Sequence, residues 1–286
     1  MNMNMNINVN VAINKFSESD YEQAREILIL ENVDEALLTA INNKENNLYT
    51  ISNNNHYVGV LQLNEREKSF LYIFIFPLYR RNGIGTQVVQ LCEKKLKIVN
   101  ANQIMTTYRS TDNEAKHFAN KRGYVRQFSS ECMKYSGGKF EITELPVRGY
   151  CDKDYSAAHE MYARAFHEMR VRVGDFPNSI IEEPNDNMRN HWAKTSDERF
   201  VYIMNNEIVG YAHVEGNEIG SISIKPEMQG KGIGRDFVKY ICNKLLDDGK
   251  YPIILYCVVG NWAKNLYTSL GFQEVYVSDF AIKYIF

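Results

Sequence analysis

Apolar and polar positions change their period along the chain, and these changes predict where strands give way to helices. Residues 219–224 alternate apolar and small side chains, as expected of a buried strand. Glycines at positions 230, 232 and 234 follow and predict a tight strand-to-helix turn. The next apolar residues recur at helical spacing, namely Phe237, Val238, Ile241, Leu245 and Leu246.

The first half of the chain shows both periods. Its first residues alternate Met, Ile or Val with Asn, which predicts a frayed start, although the alternation could continue into a first strand. The predicted elements are a strand near 9–14, helical segments near 18–30 and 33–43, a hairpin of 48–52 and 57–63, a strand at 70–76, a helix at 85–99, a strand at 104–108, a helix at 113–121 and a strand near 125–135.

The second half repeats this order after a longer beginning. An irregular segment is predicted at 171–187, where Pro and Gly interrupt the helical period. The other predicted elements are a strand at 141–147, helices near 155–167 and 188–194, a hairpin of 200–203 and 207–214, a strand at 219–224, a helix at 234–247, a strand at 253–258, a helix at 262–270 and a strand at 274–284.

The two halves are related by an internal repeat. Residues 77–85 match residues 226–234: each stretch starts with Pro, has Arg or Gln at the fourth position, and has Gly at the seventh and ninth. Two further landmarks follow the same order, Asn113-Glu-Ala115 with Gly123-Tyr124 against Asn261-Trp-Ala263 with Gly271-Phe272, and residues 13–20 against 147–154. This order indicates a duplicated domain. Because Gly137-Gly138 is typical of a boundary, we predict domains at 1–138 and 139–286.

Composition places the chain among ordinary globular proteins. Its 286 residues allow two domains, and 44% of them are hydrophobic and 24% charged. A net charge of −2 argues against binding to nucleic acid, and the lack of a long apolar run argues against a membrane span. The five cysteines form no C-x-x-C pair, and the start lacks the pattern of a signal peptide. We therefore predict reduced thiols, no metal site and a cytoplasmic location.

The glycine turn at 230–234 is a candidate anion site. A strand-to-helix turn exposes backbone N–H groups at the positive end of a helix, and glycines let a bulky anion approach them. Lys231 and Arg235 add positive charge. Neither the dinucleotide fingerprint nor the P-loop spacing fits these residues, and a plain tight turn is the alternative interpretation.

Two motifs in each copy resemble the GNAT superfamily of N-acetyltransferases. The first is Arg/Gln-x-x-Gly-x-Gly at the strand-to-helix turn. The second is the later pattern that contains Asn261, Ala263, Tyr267, Gly271 and Phe272. The resemblance covers both halves of the chain. It implies an α/β (α+β) fold of two tandem domains, each a mixed, mostly antiparallel sheet flanked by helices.

The resemblance also implies acetyl-coenzyme A as the cofactor. Backbone amides of the turn would hold its pyrophosphate, and the strand before the turn would pair with the pantetheine arm. Asn261 would bond the pantetheine or cap its own helix. The implied cofactor-binding residues are Ile222, Ser223, Ile224, Gln229, Gly230, Lys231, Gly232, Ile233, Gly234, Arg235, Asn261 and Tyr267.

Family members commonly use a tyrosine at the position of Tyr267 as the general acid for the departing thiolate. The alternative is that Tyr267 only packs against the sulfur end of the cofactor. The first copy has Ala119 at this position, although Tyr108 and Tyr124 are near in sequence. Its glycine turn at 80–86 is intact, so we predict a degenerate first copy, able to bind cofactor, beside a catalytic second copy.

Attack on a thioester needs a neutral amine and therefore a general base. We predict Glu218 as the base, with Glu215 and His213 as further candidates, each of which could instead be an exposed hairpin group. A covalent route through Cys257 is disfavoured because the sequence places no His partner beside it. His191-Trp192 and residues 166–170 fall where the family builds its acceptor pocket, or are simply a helix end and an amphipathic face.

These predictions combine into one function. The chain would be an acetyl-coenzyme A-dependent N-acetyltransferase that transfers acetyl directly to a primary amine of a small-molecule or peptide acceptor, acting as a monomer or homodimer. A non-catalytic acyl-coenzyme A-binding or sensing protein is the alternative. An antibiotic, a polyamine, an amino acid and a protein N-terminus all stay open as acceptors.

Overall fold

The computed structural model describes residues 10–30 and 35–285, with the side chains at 35 and 36 left aside. The predicted alternation at residues 1–9 lies outside this part. The first half contains β1 (Val11–Lys15), α1 (Glu18–Leu30), α2 (Glu35–Asn42), β2 (Leu48–Asn53), β3 (His56–Asn64), β4 (Lys68–Ile75), α3 (Ile84–Ile98), β5 (Gln103–Arg109), α4 (Asn113–Lys121) and β6 (Val125–Tyr135).

The second half largely repeats this series of strands and helices. It contains β7 (Val147–Gly149), α5 (Tyr155–Val173), α6 (Asp186–Lys194), β8 (Arg199–Met204), β9 (Glu207–Glu215), β10 (Glu218–Ile224), α7 (Ile233–Asp247), β11 (Ile253–Val258), α8 (Ala263–Ser269) and β12 (Gln273–Tyr284). None of the helices in the described ranges is long and apolar enough to cross a membrane.

The predicted strand at 141–147 is wrong, because only its last residue begins a strand. The Asn243 side chain bonds both backbone groups of Phe140: its Oδ1 accepts from the amide at 2.7 Å, and its Nδ2 donates to the carbonyl at 2.9 Å. Phe140 and Leu145 pack against a core that includes Phe237, so their apolar character reflects packing without strand pairing. Pro146 has no N–H to give to a ladder.

The irregular segment predicted at 171–187 is shorter than expected at both ends. Helix α5 continues to Val173 and ends at Gly174, whose left-handed backbone (φ 84°) terminates it. Helix α6 begins at Asp186 because the Asn185 Oδ1 accepts a hydrogen bond from the amide of Met188.

The chain divides into two compact units, and the division differs from the predicted boundary at residue 138. The first unit consists of the described residues of Met1–Arg126 and Phe280–Phe286, and the second of Gln127–Asp279. Most of β6, the last strand of the first copy, therefore lies in the second unit, where it pairs with β11 from Tyr135 to Ser130. The end of β12 lies in the first unit, where Ala281 and Ile285 enter the core.

The first unit is a sheet between two helical layers. Strands β1 to β5 follow in order, with β1 to β4 antiparallel and β4 and β5 parallel. On one face, α3 packs Val88 and Leu96 on the sheet, and on the other, α1 and α2 pack Leu28 and Leu37. The β2–β3 hairpin turns at Asn54 and Asn55, which both have positive φ.

The second unit has the same layering. Its strand order is β12, β6, β11, β10, β9, β8, β7, with β10 and β11 parallel. Helix α7 buries Phe237 and Ile241 on one face, and α5 and α6 bury Ala158 and Trp192 on the other. Each unit is thus a mixed, mostly antiparallel sheet flanked by helices, which confirms the predicted fold class.

Candidate active site

The two parallel strands of the second unit separate at the predicted cofactor strand. Strand β10 pairs with β11 only at Glu218 and Ile219, while its pairing with β9 continues to Ile224. The parallel ladder therefore ends before Ile222 and Ser223. An extended, amide-rich ligand can add to such an opened edge as a further strand would.

The glycine turn follows this edge and begins helix α7. Gly230 and Gly232 have φ of 75° and 86°, and no heavy atom lies within 4 Å of where a Cβ would be at either residue. The Gln229 Nε2 donates to the carbonyl of Ile224 at 3.0 Å and so ties the turn to the end of β10. Gly232 is the N-cap of α7 and provides no side-chain acceptor for the first amides, beginning at Ile233, which leaves them available to an anion.

The remaining turn residues have different surroundings. A Cβ at Gly234 would lie 3.5 Å from Ile224 Cγ1 and 3.8 Å from Leu266 Cδ2, which is ordinary contact. Arg235 Nη2 donates to Ser269 Oγ at 2.9 Å, at the end of α8, and is exposed. Lys231 is exposed, with its Nζ 3.6 Å from the sulfur of Met228. Two cations therefore border the turn.

Tyr267 lies on α8 and is buried in the apolar core of the second unit. Its ring contacts that of Phe272, with centroids 5.9 Å apart. Burial raises the pKa of Tyr267, and the nearby thiols of Cys257 and Cys242 raise it further. The phenol therefore keeps its proton at neutral pH. The structure shows that the ring packs in the core, and the role of proton donor stays a prediction.

Asn261 is engaged at the start of the same helix. Its Oδ1 accepts from the amide of Ala263 at 3.0 Å, and its backbone carbonyl accepts from the amide of Lys264. Of the two contacts proposed for this side chain, the local one that starts the helix is therefore present. By fixing where α8 begins, Asn261 also fixes the position of Tyr267 on that helix.

Glu218 is largely buried where β10 begins. Burial raises the pKa of its carboxyl to about 7, and repulsion from Glu215, its register partner on β9, adds to the shift. A Cβ at Gly220 would lie 3.9 Å from Glu218 Oε1 and 3.3 Å from His213 Nδ1, so both side chains border the same space. Glu218 is therefore close to half ionised at pH 7 and can accept a proton there.

Two other residues considered from the sequence have unfavourable surroundings: His213 as a further candidate base, and Cys257 as the nucleophile of the disfavoured covalent route. Burial lowers the pKa of His213 to about 4, together with the charges of Arg199 and His191, so the imidazole is neutral but a weak base. Burial raises the pKa of Cys257 to about 11, helped by Glu131, which keeps the thiol protonated and unreactive. Within the described residues, no cluster of three His, Cys, Asp or Glu side chains could hold a metal ion.

The segments predicted to form an acceptor pocket lie on α5 and α6. Trp192 is buried and stacks on Tyr211 with ring centroids 4.4 Å apart and planes 6° apart. His191 is exposed on the same helix. Residues 166–170 are helical, and His167 Nδ1 lies 3.1 Å from Ser179 Oγ in the segment after α5. The structure therefore gives Trp192 a packing role and leaves the other side chains nearer the surface.

The first unit contains a cavity at the equivalent place, with a volume of about 630 Å³. Strand β4 pairs with β5 only from Lys68 to Phe70, so these strands also separate. Arg80 Nε donates to the carbonyl of Ile75 at 2.9 Å, as Gln229 does to Ile224 in the second unit. The cavity is lined by the part of β4 that follows its pairing with β5, and by the turn, the end of β5 and helix α4. The sequence predicted this intact turn but not the cavity.

Ala119 lines this cavity where the second unit carries Tyr267. Arg122, which sequence analysis did not single out, also lines it and donates to Thr86 Oγ1 at the start of α3. Its guanidinium lies 3.8 Å from the centre of the Phe118 ring. The sequence hints at this contact only indirectly: the first copy has Arg122 just before Gly123, and it has Thr86 where the second copy has Arg235.

Comparisons with known proteins agree with this geometry. Two family models, both described as an acetyltransferase (GNAT) domain, match residues 16–136 and 196–274. Comparison with curated proteins gave no match.

Similar solved structures span nearly the whole chain. A GCN5-related N-acetyltransferase from Sphaerobacter thermophilus has a TM-score of 0.69 at 16% identity, covering 96% of this chain and 95% of its own. A tandem GNAT protein from the clavulanic acid biosynthesis pathway has a TM-score of 0.62 at 12% identity, covering 96% and 98%. A GNAT-family acetyltransferase from Colwellia psychrerythraea has a TM-score of 0.55 at 10% identity, covering 95% and 100%. At these identities the likeness concerns the fold.

Proposed function

The chain belongs to the GNAT family of acetyltransferases and carries two GNAT domains, and from this premise we propose that its second unit is an acetyl-coenzyme A-dependent N-acetyltransferase. The acceptor is a primary amine on a small molecule or peptide. The observation that carries the proposal is the opened edge of β10 that leads into the glycine turn. At the start of the same strand, burial raises the pKa of Glu218 to about 7. A general base is most effective when its pKa lies near the working pH.

Cofactor binding in this proposal uses the turn and the opened edge. The pyrophosphate accepts hydrogen bonds from backbone amides of residues 230–234, since the amides of Gln229 and Arg235 already donate to the carbonyls of Pro226 and Gly232. Lys231 and Arg235 neutralise part of its charge. The pantetheine amides pair with Ile222, Ser223 and Ile224, which β11 leaves free. Both contacts fix the thioester relative to β10, and this positioning lowers the entropic cost of attack.

The chemical step is direct transfer. A primary amine is largely an ammonium ion at pH 7, so the Glu218 carboxylate first takes a proton from it. The neutral nitrogen then attacks the thioester carbonyl, the C–N bond forms and the C–S bond breaks, and the nitrogen releases a second proton to solvent as it becomes an amide. The electron pair of that bond leaves on the thiolate of coenzyme A. Tyr267 donates its phenolic proton, or a hydrogen bond, to this thiolate.

A screen for acetylated amines tests the proposal. The full chain is incubated with acetyl-coenzyme A and a library of amines, and mass spectrometry and free thiol release are measured together. The expected result is thiol release that depends on an amine and equals the acetylated product formed. Coenzyme A binding without any amine-dependent release would contradict the proposal and leave a binding protein instead.

Tyr267→Phe should lower kcat by about tenfold and leave the Kd of acetyl-coenzyme A almost unchanged. General acids typically contribute about 10²- to 10⁴-fold, but the raised pKa of this buried phenol makes it a weak acid towards a thiolate, so its effect should fall below that range. The ring packing against Phe272 is kept in this variant. Single-turnover kinetics with a known acceptor measure the loss, and an unchanged kcat with rate-limiting chemistry would leave Tyr267 a packing residue.

A further inference from the structure

We infer that the first unit holds, without transferring it, a coenzyme A thioester whose acyl group is larger than acetyl, and that Ala119 provides the room. The inference rests on the cofactor class of the proposed function but concerns the other unit. It depends on three features of the cavity in the first unit: its charged end, its opened strand edge and its inner end.

The charged end is built around Arg122. Arg122 reaches from the end of α4 to Thr86 on the first turn of α3, and its Nε is buried with no hydrogen-bond acceptor in the part of the chain that the structure describes. In the second unit the arginine comes from the opposite side, because Arg235 on α7 reaches Ser269 on α8. In each unit, one arginine therefore links the helix that begins at the glycine turn to the next helix of the chain. This suits a pyrophosphate on the amides of the turn in both units.

The two glycines of this turn have different surroundings, one open and one closely packed. Gly83 is the N-cap of α3 with φ of 80° and open space where a side chain would be. A Cβ at Gly85 would lie 3.1 Å from the Phe118 ring, on which the Arg122 guanidinium stacks. Phe118 and Arg122 therefore pack together against the first turn of α3, beside its backbone amides.

The middle of the cavity is lined by the part of β4 that follows its pairing with β5. After Phe70 this strand has β3 as its ladder partner on one side, while the parallel pairing with β5 has ended. Residues 71–75 line the cavity together with residues 106–109 of β5. The pantetheine arm fits this edge for the same reason as in the second unit.

The inner end of the cavity has one aromatic ring fewer than the equivalent place in the second unit. Val89, Ala119 and Tyr124 line it in the first unit and are all core residues. In the second unit the place of Ala119 is taken by Tyr267, whose ring packs on Phe272, the counterpart of Tyr124. The first unit lacks that ring. Because Ala119 itself lines the cavity, the absence of that ring gives room there for about four to six additional carbon atoms.

At the equivalent positions of the described chain, the first unit has neither of the two groups proposed for catalysis in the second unit. Its strand β4 begins with Lys68 and Ser69 in place of a carboxylate such as Glu218, and Ser69 Oγ donates to the carbonyl of Arg66 at 2.6 Å. Ala119 has no proton to give, and the hydroxyl of Tyr124 is buried. A thioester bound here would therefore persist as a ligand.

Calorimetry of the full chain with acetyl-, butyryl- and hexanoyl-coenzyme A tests the inference. Gly232→Val is introduced throughout to weaken the site of the second unit, so that the first unit dominates the heat. Each buried methylene group contributes about fourfold in affinity. Four partly buried groups should therefore make hexanoyl-coenzyme A bind at least about tenfold tighter than acetyl-coenzyme A. Equal affinities, or no binding, would overturn the inference.

Ala119→Tyr should remove the preference for the longer chain and leave the affinity for acetyl-coenzyme A nearly unchanged, because it restores the ring of the second unit. Lys116→Tyr is the matched control, since it adds the same ring to an exposed position of α4 that does not line the cavity. Ala119→Val, a smaller change, should reduce binding of hexanoyl- more than butyryl-coenzyme A if the larger variant does not fold. A preference that survives both substitutions at position 119 would contradict the role of Ala119.

This outcome can be separated from that of the proposed function. Amine acetylation is measured on the wild-type chain, whereas acyl-length preference is measured by binding to the Gly232→Val background. If the wild-type chain shows no amine-dependent turnover but the Gly232→Val chain prefers hexanoyl-coenzyme A, only the transferase proposal is contradicted. The reverse pattern would contradict only the inference about the first unit.

Discussion

Glu218→Gln should reduce kcat/KM at pH 7 by about 10²- to 10³-fold, within the range of a general base. Glutamine keeps the size of the side chain and its burial at the start of β10 but cannot accept a proton. In the wild type, kcat/KM should rise with pH through about 7, where Glu218 ionises, and then reach a plateau. The variant should lose this rise near pH 7. Its remaining activity should increase towards alkaline pH, because only free amine then reacts.

Glu215→Gln is the matched variant for this profile. Glu215 faces Glu218 across β9 and β10 and helps to raise its pKa. Removing that charge should move the rise in kcat/KM to lower pH and leave the plateau in place. If the rise near pH 7 persists in Glu218→Gln, another group is the base. His213 would not account for it, because its pKa of about 4 lies well below that range.

Thermal unfolding gives a readout of Glu218 that does not involve turnover. The folded pKa of about 7 lies above the ordinary value of 4.5, so ionisation is disfavoured in the folded state. This group therefore contributes stability below pH 4.5, and the contribution is lost as the pH rises through 7. The glutamine of Glu218→Gln does not ionise. Across this pH range its melting temperature should therefore rise relative to that of the wild type, by an amount that corresponds to about 2 to 3 kcal/mol in the free energy of unfolding. A constant difference would mean that Glu218 is not buried as described.

The sequence predicted the features that depend on local order. Glycines at 230 and 232 needed positive φ, and the apolar periods on either side placed them between a strand and a helix. The sequence also singled out Glu218 for its place at the start of that strand. The raised pKa that suits Glu218 to act as a base comes from its burial and from Glu215 on the neighbouring strand. Neither of these can be read from the order of residues alone.

Features that depend on which surfaces meet were predicted less well. A strand with period two, such as β6 or β12, fits the core of either unit, so the pattern alone cannot say where it lies. Residues 141–147 contain apolar side chains that suit a strand, but Asn243, distant in sequence, bonds the backbone of Phe140, and only Val147 begins a strand. Likewise, Arg122 and Thr86 are brought together only by the packing of α4 on α3.

Damage to the two glycine turns should have unequal consequences for acetyl transfer. Gly83 and Gly232 offer a closely matched pair, because each is the N-cap of its helix, with φ of 80° and 86° and open space beside it. Valine at either position meets the same backbone penalty of about 1 to 2 kcal/mol. It also places a branched side chain where an anion would approach the amides.

Gly232→Val should lower kcat/KM for acetyl-coenzyme A by about 10²-fold or more, because two charge-assisted hydrogen bonds are worth about 3 kcal/mol or more together. Gly83→Val should keep most of the activity, since the first unit has Ala119 in place of the acid and no carboxylate at the start of β4. Steady-state kinetics on both variants, with circular dichroism to show that each is folded, give the comparison. Equal losses would mean that the cofactor site of the first unit is itself needed for turnover. A larger loss in Gly83→Val would assign catalysis to the first unit, whose cavity Ala119 and Val89 line.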